Sequence, residues 1–145
     1  MKKMMNTLLS MLICTVLFST CFGATTVCAA PSGKIEIQLK DLNTAHSNKT
    51  GVTFKLYLVG TVLDSGEPVI DPVYGITEYP VTADETEQAV KKIKAALTGS
   101  AQASAATDAS GKAVLSGVAD GTYYIAADES NGYGIVEPLL VQIPY

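Results

Sequence analysis

Few residues in this chain are equipped for chemistry. His46 is the one histidine among 145 residues, and the three cysteines, Cys14, Cys21 and Cys28, all precede residue 30. A serine–histidine–acid set would rest wholly on His46, and a catalytic base also needs a third group to orient it. His46 falls in a polar run, 41–51 (DLNTAHSNKTG). There it reads as a solvated side chain, with no second histidine to share a metal. Asp108-Ala109-Ser110-Gly111 looks like half of a calcium loop, but the distal bidentate glutamate and the alternating oxygen ligands are missing. Asp followed by Gly at those offsets is what a tight turn needs, and a turn is the reading adopted. Asp128 and Glu129 are adjacent, so in an extended chain they face opposite ways and form no paired-carboxylate site. Asn48-Lys49-Thr50 fits a glycosylation sequon, a short pattern that recurs by chance. Tyr57, Tyr74, Tyr79, Tyr123, Tyr124, Tyr133 and Tyr145 dominate the aromatic content. Sheet packing with each hydroxyl reaching water or backbone accounts for them, and a carbohydrate or protein contact surface stays open.

Composition narrows the field further. The chain has ten basic residues, all Lys, against fourteen acids, and it contains neither Arg nor Trp. No basic stripe exists, so nucleic acid is not an expected partner. The length suits one compact domain.

The first residues, Met1 to Ala29, read as an export signal. Lys2 and Lys3 supply the cationic start, and 8–22 (LLSMLICTVLFSTCF) is almost wholly apolar. That run matches a signal core and falls short of the roughly 20 residues that span a bilayer. Val27-Cys28-Ala29 satisfies the small-x-small rule, which places cleavage between Ala29 and Ala30. An uncleaved anchor is the competing reading, and the polar Ala24-Thr25-Thr26 stretch argues against it. A lipid-anchored Cys21 fits less well, because Thr20 stands where Gly or Ala is usual. Removal of the leader leaves 116 residues with eight Lys, fourteen acids and no cysteine, a formal charge of −6. Such an exported chain has no disulfide and must stand on its core. No membrane span is expected after signal removal.

The elements that would position any site follow from periodicity. Ile35, Ile37 and Leu39 alternate with polar neighbours, which predicts a half-buried strand over 34–40. Val52 to Val59 is a second strand, with Val52, Phe54, Leu56 and Leu58 on one face and Thr53, Lys55, Tyr57 and Val59 on the other. The Gly-, Pro- and Asp-rich stretch 62–75 reads as a connection with at most a short strand. Ile76–Val81 is expected as a third strand, at an edge because of Pro80. Thr82 and Glu85 form a capping-box signature with Asp84 and Glu87 nearby. Val90, Ile93 and Leu97 then recur at helical spacing, Lys91, Lys92 and Lys94 suit the dipole, and Gly99 is a natural stop. A helix over 84–97 is predicted. Ser100–Ala106 reads as a flexible linker and 107–112 as a turn. Ala113, Leu115 and Val118 mark a strand, Asp120-Gly121 a turn, and Thr122–Ala127 another strand. Asn131-Gly132 is a two-residue hairpin signal, followed by strands over 133–137 and 138–143. About seven strands and one inserted helix predict a mainly β protein, a Greek-key, immunoglobulin-like β-sandwich over 30–145.

Several segments together resemble a known group. They are 51–59 (GVTFKLYLV), the turn from Thr107-Asp108 to Gly111-Lys112-Ala113, 121–125 (GTYYI) and 137–144 (EPLLVQIP). In this order the chain resembles the N-terminal domain of sortase-assembled pilin subunits of Gram-positive bacteria, of the SpaA or Cna B-type, prealbumin-like class. The resemblance covers most of 34–145. It implies a subunit of a surface pilus, exported and linked to the cell wall, with other pilin subunits and a sortase as partners of a full-length form. Subunits of that family are joined through a Lys in a Tyr-Pro-Lys-type motif and a C-terminal LPXTG signal, neither of which is present. A chain truncated before the sorting signal is therefore expected. Related domains also form an internal Lys–Asn isopeptide bond, which needs a buried neutral Lys, a neighbouring side-chain amide and a protonated carboxyl. Here the matching places hold Leu39 rather than Lys40, Ala126 or Ala127 rather than an acid (Glu129 comes later), and Gln142 rather than Asn. No isopeptide is expected.

The resulting expectation is a non-catalytic surface protein with no cofactor and no metal. The alternative is a secreted adhesin or a carbohydrate- or protein-binding module that meets a host or surface ligand.

Overall fold

The computed structural model describes residues 33–41, 48–129 and 132–144. The expected leader with its Ala29–Ala30 cleavage site, the three cysteines and His46 lie outside the described residues. So does Asn131, half of the hairpin signal.

Seven strands and one α-helix follow in chain order: β1 Gly33–Gln38, β2 Thr53–Val62, β3 Pro68–Ile70, a 3-10 turn Pro72–Tyr74, α1 Ala83–Ala96, β4 Ala103–Ala106, β5 Lys112–Val118, β6 Gly121–Ala127 and β7 Leu139–Ile143. The protein is mainly β, and every strand pair is antiparallel. β1 and β5 form a two-stranded sheet. In the larger sheet β2 pairs β6 on one side, and β6 pairs β7. On its other side the long β2 holds β4 against Thr53–Leu56 and β3 against Gly60–Val62.

Side-chain alternation divides the larger sheet into two faces. Phe54 and Leu56 of β2 and Tyr123 and Ile125 of β6 turn inward onto Leu39, Ala113, Leu115 and Val118. Val59 and Tyr124 turn outward and meet Ile93 of α1 and Ile70. The result is three layers: two strands, five strands, one helix. β6 is the middle of both interfaces, and Gly121 through Ile125 are all buried.

The capping box predicted at the start of α1 is present. Glu85 N donates to Thr82 Oγ1 at 3.3 Å, and Thr82 N donates to Glu85 Oε2 at 3.0 Å. Ala89 and Ile93 form the buried stripe. The helix ends at Leu97 in an extended conformation, two residues before Gly99.

Three expectations need correction. Ile76–Val81 is not a strand; the third strand is Pro68–Ile70. Ile76 and Tyr79 are spaced by three and both pack on the α1 side. The segment's polar groups are held by the helix instead of a ladder: Lys92 Nζ donates to Gly75 O, and Val81 N to Glu85 Oε2. Ser100–Ala106 is not a linker, because Ala103–Ala106 pairs with β2 and Ala103 and Ala105 pack on the inner core. Small residues suit that place, where β4 runs close to β5 as well as β2. Tyr133–Glu137 is not a strand. Tyr133 spends its hydroxyl on Lys40 O at 2.6 Å, and Gly134 has a positive φ of 126°. Leu58 stands opposite Tyr123 on its expected face, though it is 43% exposed. The β2–β6 register shifts between Leu58 and Gly60, a bulge at Val59, which lies on the α1 side with Tyr57 as alternation predicts. Gly60 is required beside it, since a Cβ there would lie 1.9 Å from Val69 O.

Candidate functional site

A concavity lies on the helix side of the larger sheet, at the end where β6 leaves it. It is a cleft of about 550 Å³. Its floor is Tyr124, Ala126 and Ala127 of β6, one wall is Lys94 of α1, and the other is Gly134 to Pro138, the approach to β7. Asp128, Glu129 and Glu137 bring carboxylates to it.

Strand alternation accounts for the floor. Tyr124 and Ala126 share the outward face with Tyr57 and Lys55, which stand opposite them on β2. The rings of Tyr57 and Tyr124 meet at a centroid distance of 6.1 Å, tilted by 45°. Burial pushes the Tyr124 hydroxyl's pKa up, so it stays a neutral donor and acceptor through the physiological range.

Ion pairs border the cleft. Lys94 Nζ lies 2.8 Å from Glu129 Oε1, and Lys55 Nζ lies 2.6 Å from Asp128 Oδ1. The hydrogen bond that Lys94 donates holds the Glu129 carboxyl below its ordinary pKa, and the one that Lys55 donates to Asp128 raises the pKa of Lys55. Both pairs are exposed, so their worth is in orienting side chains rather than in stability. The arrangement suits non-covalent recognition: an aromatic and apolar floor, with a charged rim able to accept or donate hydrogen bonds.

The residues singled out from sequence do not converge here as a set. Asp128 and Glu129 do border the cleft, each paired with a different lysine. Asp108 forms the expected turn. Its Oδ1 accepts from Ser110 N, Ser110 Oγ and Lys112 N, and the Ser110 contact leads in holding its pKa down. Asn48 Oδ1 accepts from Thr50 N at 3.0 Å. Glu85 is occupied at the helix start, where the backbone N–H of Val81 is the foremost cause of its lowered pKa. Tyr123 donates to Ala119 O within the core. Among the described residues no group of three or more His, Cys, Asp or Glu is placed to hold a metal.

The positions compared with the isopeptide pattern are also defined. Leu39 is buried and Lys40 exposed. Ala126 packs on the helix side and Ala127 on the inner side. Gln142 lies on β7 opposite Thr122. Among the described residues no lysine is buried. Lys49 is half-buried and is paired with Asp41 at 2.8 Å.

Sequence reading missed Lys55, Lys94 and the 134–138 wall as parts of one site. The signal for Lys55 was its alternation with Phe54 and Leu56, which puts it on the Tyr57 face. Nothing in the sequence aligns Lys94 with the end of β6. No family model, no curated protein and no solved structure matches this chain.

Proposed function

We propose that this chain is a non-catalytic surface protein, a pilin-like domain of the sortase-assembled type, exported by its N-terminal leader. In this reading the connections are Greek-key and the two sheets form an immunoglobulin-like sandwich with α1 as an insertion. One observation carries the proposal. The segments that resemble the pilin class fall, in order, on β2, the turn before β5, β6 and β7, and three of them are neighbouring strands of one sheet. A core packed on both faces of β6 without a cysteine suits a load-bearing part of the cell surface. Sortase and further pilin subunits are the partners of this reading.

An immunoblot of wall extracts from cells that express a full-length form carrying the sorting signal tests it. The expected result is a ladder of detergent-resistant species that collapses to one band when sortase is deleted. A single band at the monomer mass, unchanged by the deletion, overturns it. The intact mass of the purified domain should equal its sequence mass, and loss of one ammonia would contradict the absence of an isopeptide.

The cleft beside Tyr124 favours a second reading, a binding module for a carbohydrate or a protein on a host or other surface. Retention on a glycan array that is lost on Tyr124→Ala would support it.

A further inference from the structure

The geometry points to the cleft beside Tyr124 as a site for a short extended peptide with basic side chains, held by main-chain hydrogen bonds to Ala127. The inference rests on the second reading above, a binding module, and selects peptide over carbohydrate as its ligand.

The hydrogen-bond pattern of β6 leaves one residue open to the cleft. Asp128 N donates to Thr53 O at 2.9 Å, a bond that flanks the Phe54–Ala127 pair. In an antiparallel ladder a pair flanked in this way exchanges no hydrogen bonds of its own, so the main chain of Ala127 turns away from β2. It turns to the side on which β7 runs. The β6–β7 ladder stops at Ile125 opposite Leu139, two residues short of Ala127. Continued in register it would set Glu137 opposite Ala127, but Gly134 to Pro138 stand off as the wall of the cleft. Among the described residues no group bonds the N–H or the C=O that Ala127 directs to that side. The Ala127 side chain packs on the inner core, so what this residue lends to the cleft is main chain.

That pair of groups selects the class of ligand. One donor and one acceptor, fixed side by side in strand conformation, match the C=O and N–H of one residue in an extended peptide. A sugar offers rotating hydroxyls and no such fixed pair. The cleft, of about 550 Å³, has room for a few residues, and Ala126 beside the open pair adds only a methyl group.

Charge selects the side chains. The cleft is lined by Asp128, Glu129 and Glu137 against one ammonium, that of Lys94. Lys94 is committed to Glu129, and Lys55 to Asp128. Glu137 is in no ion pair among the described residues. Its charge is felt by Lys91 of α1, which sets it on the helix side of the sheet. A guest residue opposite Ala127 shares the inward face, and the residues on either side of it point outward, to the helix side. A lysine or arginine at those flanking places meets Glu137. The net negative charge of the whole chain draws the same kind of partner.

Amide shifts of the isotope-labelled protein, kept reduced, test this. The probe is an end-blocked hexapeptide that alternates lysine with valine, added to about 1 mM, the range expected of a small interface. The Ala127 amide should shift to saturation, and its exchange with solvent should slow. Glutamate in place of the peptide's lysines should weaken binding at least about tenfold. N-methylation of its valines, which removes the N–H groups that would bond Ala127, should weaken it at least about fivefold. Glu137→Lys, at an exposed position, should weaken it about tenfold with the thermal melt unchanged. A peptide that leaves Ala127 unmoved overturns the proposal. So does a glutamate or N-methyl peptide that binds as tightly as the parent, or an unchanged affinity in Glu137→Lys. Cellohexaose is the second arm: if it shifts Ala127 and the peptide does not, the inference falls while the binding reading stands in its carbohydrate form.

Discussion

The two faces of the larger sheet are built by different rules. The inner face meets another sheet through Phe54, Leu56, Tyr123, Ile125 and Leu115, with charge kept out. The outer face meets one helix, which is too narrow to cover five strands. The uncovered part is finished with tyrosines, half-buried aliphatics and exposed ion pairs, and the cleft opens there. Sheet-on-sheet packing closes a core; helix-on-sheet packing leaves a margin, and margins are where recognition chemistry can be placed.

Substitutions can sharpen or break that contrast. The largest loss is expected on the inner face: Phe54→Ala should cost about 3–5 kcal/mol by urea denaturation, since the side chain is 1% exposed and its neighbours are pinned by two sheets. Ile93→Ala, fully buried on the outer face, should cost about 2–4 kcal/mol. Its loss should stay at the lower end because α1 can settle toward the sheet. If Ile93→Ala proves the costlier, the helix rather than the sheet pair is the keystone. Thr82→Ala removes the helix cap and should cost about 1 kcal/mol.

The same cap makes part of the outer layer sensitive to acid. Glu85 is held below its ordinary pKa of 4.5 in the folded protein, so its contribution is present above that value and is lost as pH falls through the folded pKa. The stability gap between wild type and Glu85→Gln should therefore narrow below pH 4.5; a constant gap would sink the assignment. The smallest effect is expected at the rim, where Lys94→Ala should leave the melting temperature unchanged in high salt while releasing Glu129.

Elements with strong, regular periodicity were legible from sequence. β1, β2 and β5 alternate, β6 is a short run after the Asp120-Gly121 turn that is buried on both faces, and α1 announces itself through Thr82, Glu85 and the Ile93 stripe. β4 was not legible, because ASAA carries too little apolar contrast to reveal its period. Its place comes from the room available between β2 and β5, a tertiary fact. Ile76–Val81 misled in the opposite sense: β-rich residues there serve the helix, at a spacing of three. Leu58 keeps the face that alternation gives it, opposite Tyr123, but it is 43% exposed, and alternation cannot show how far a core extends. The site was the least legible part. Asp128 and Glu129 were visible as a pair, but their lysines come from sequence positions far away, and only the fold brings them together.

The pairing pattern also governs when the molecule can form at all. β1 joins β5 with Gly33 opposite Val118, and β2 joins β6 with Phe54 opposite Ala127. Neither sheet can close until nearly the whole polypeptide has been made, and such long-range closures are slow. A nascent chain of this design stays open and pliable until the strands of its second half have emerged.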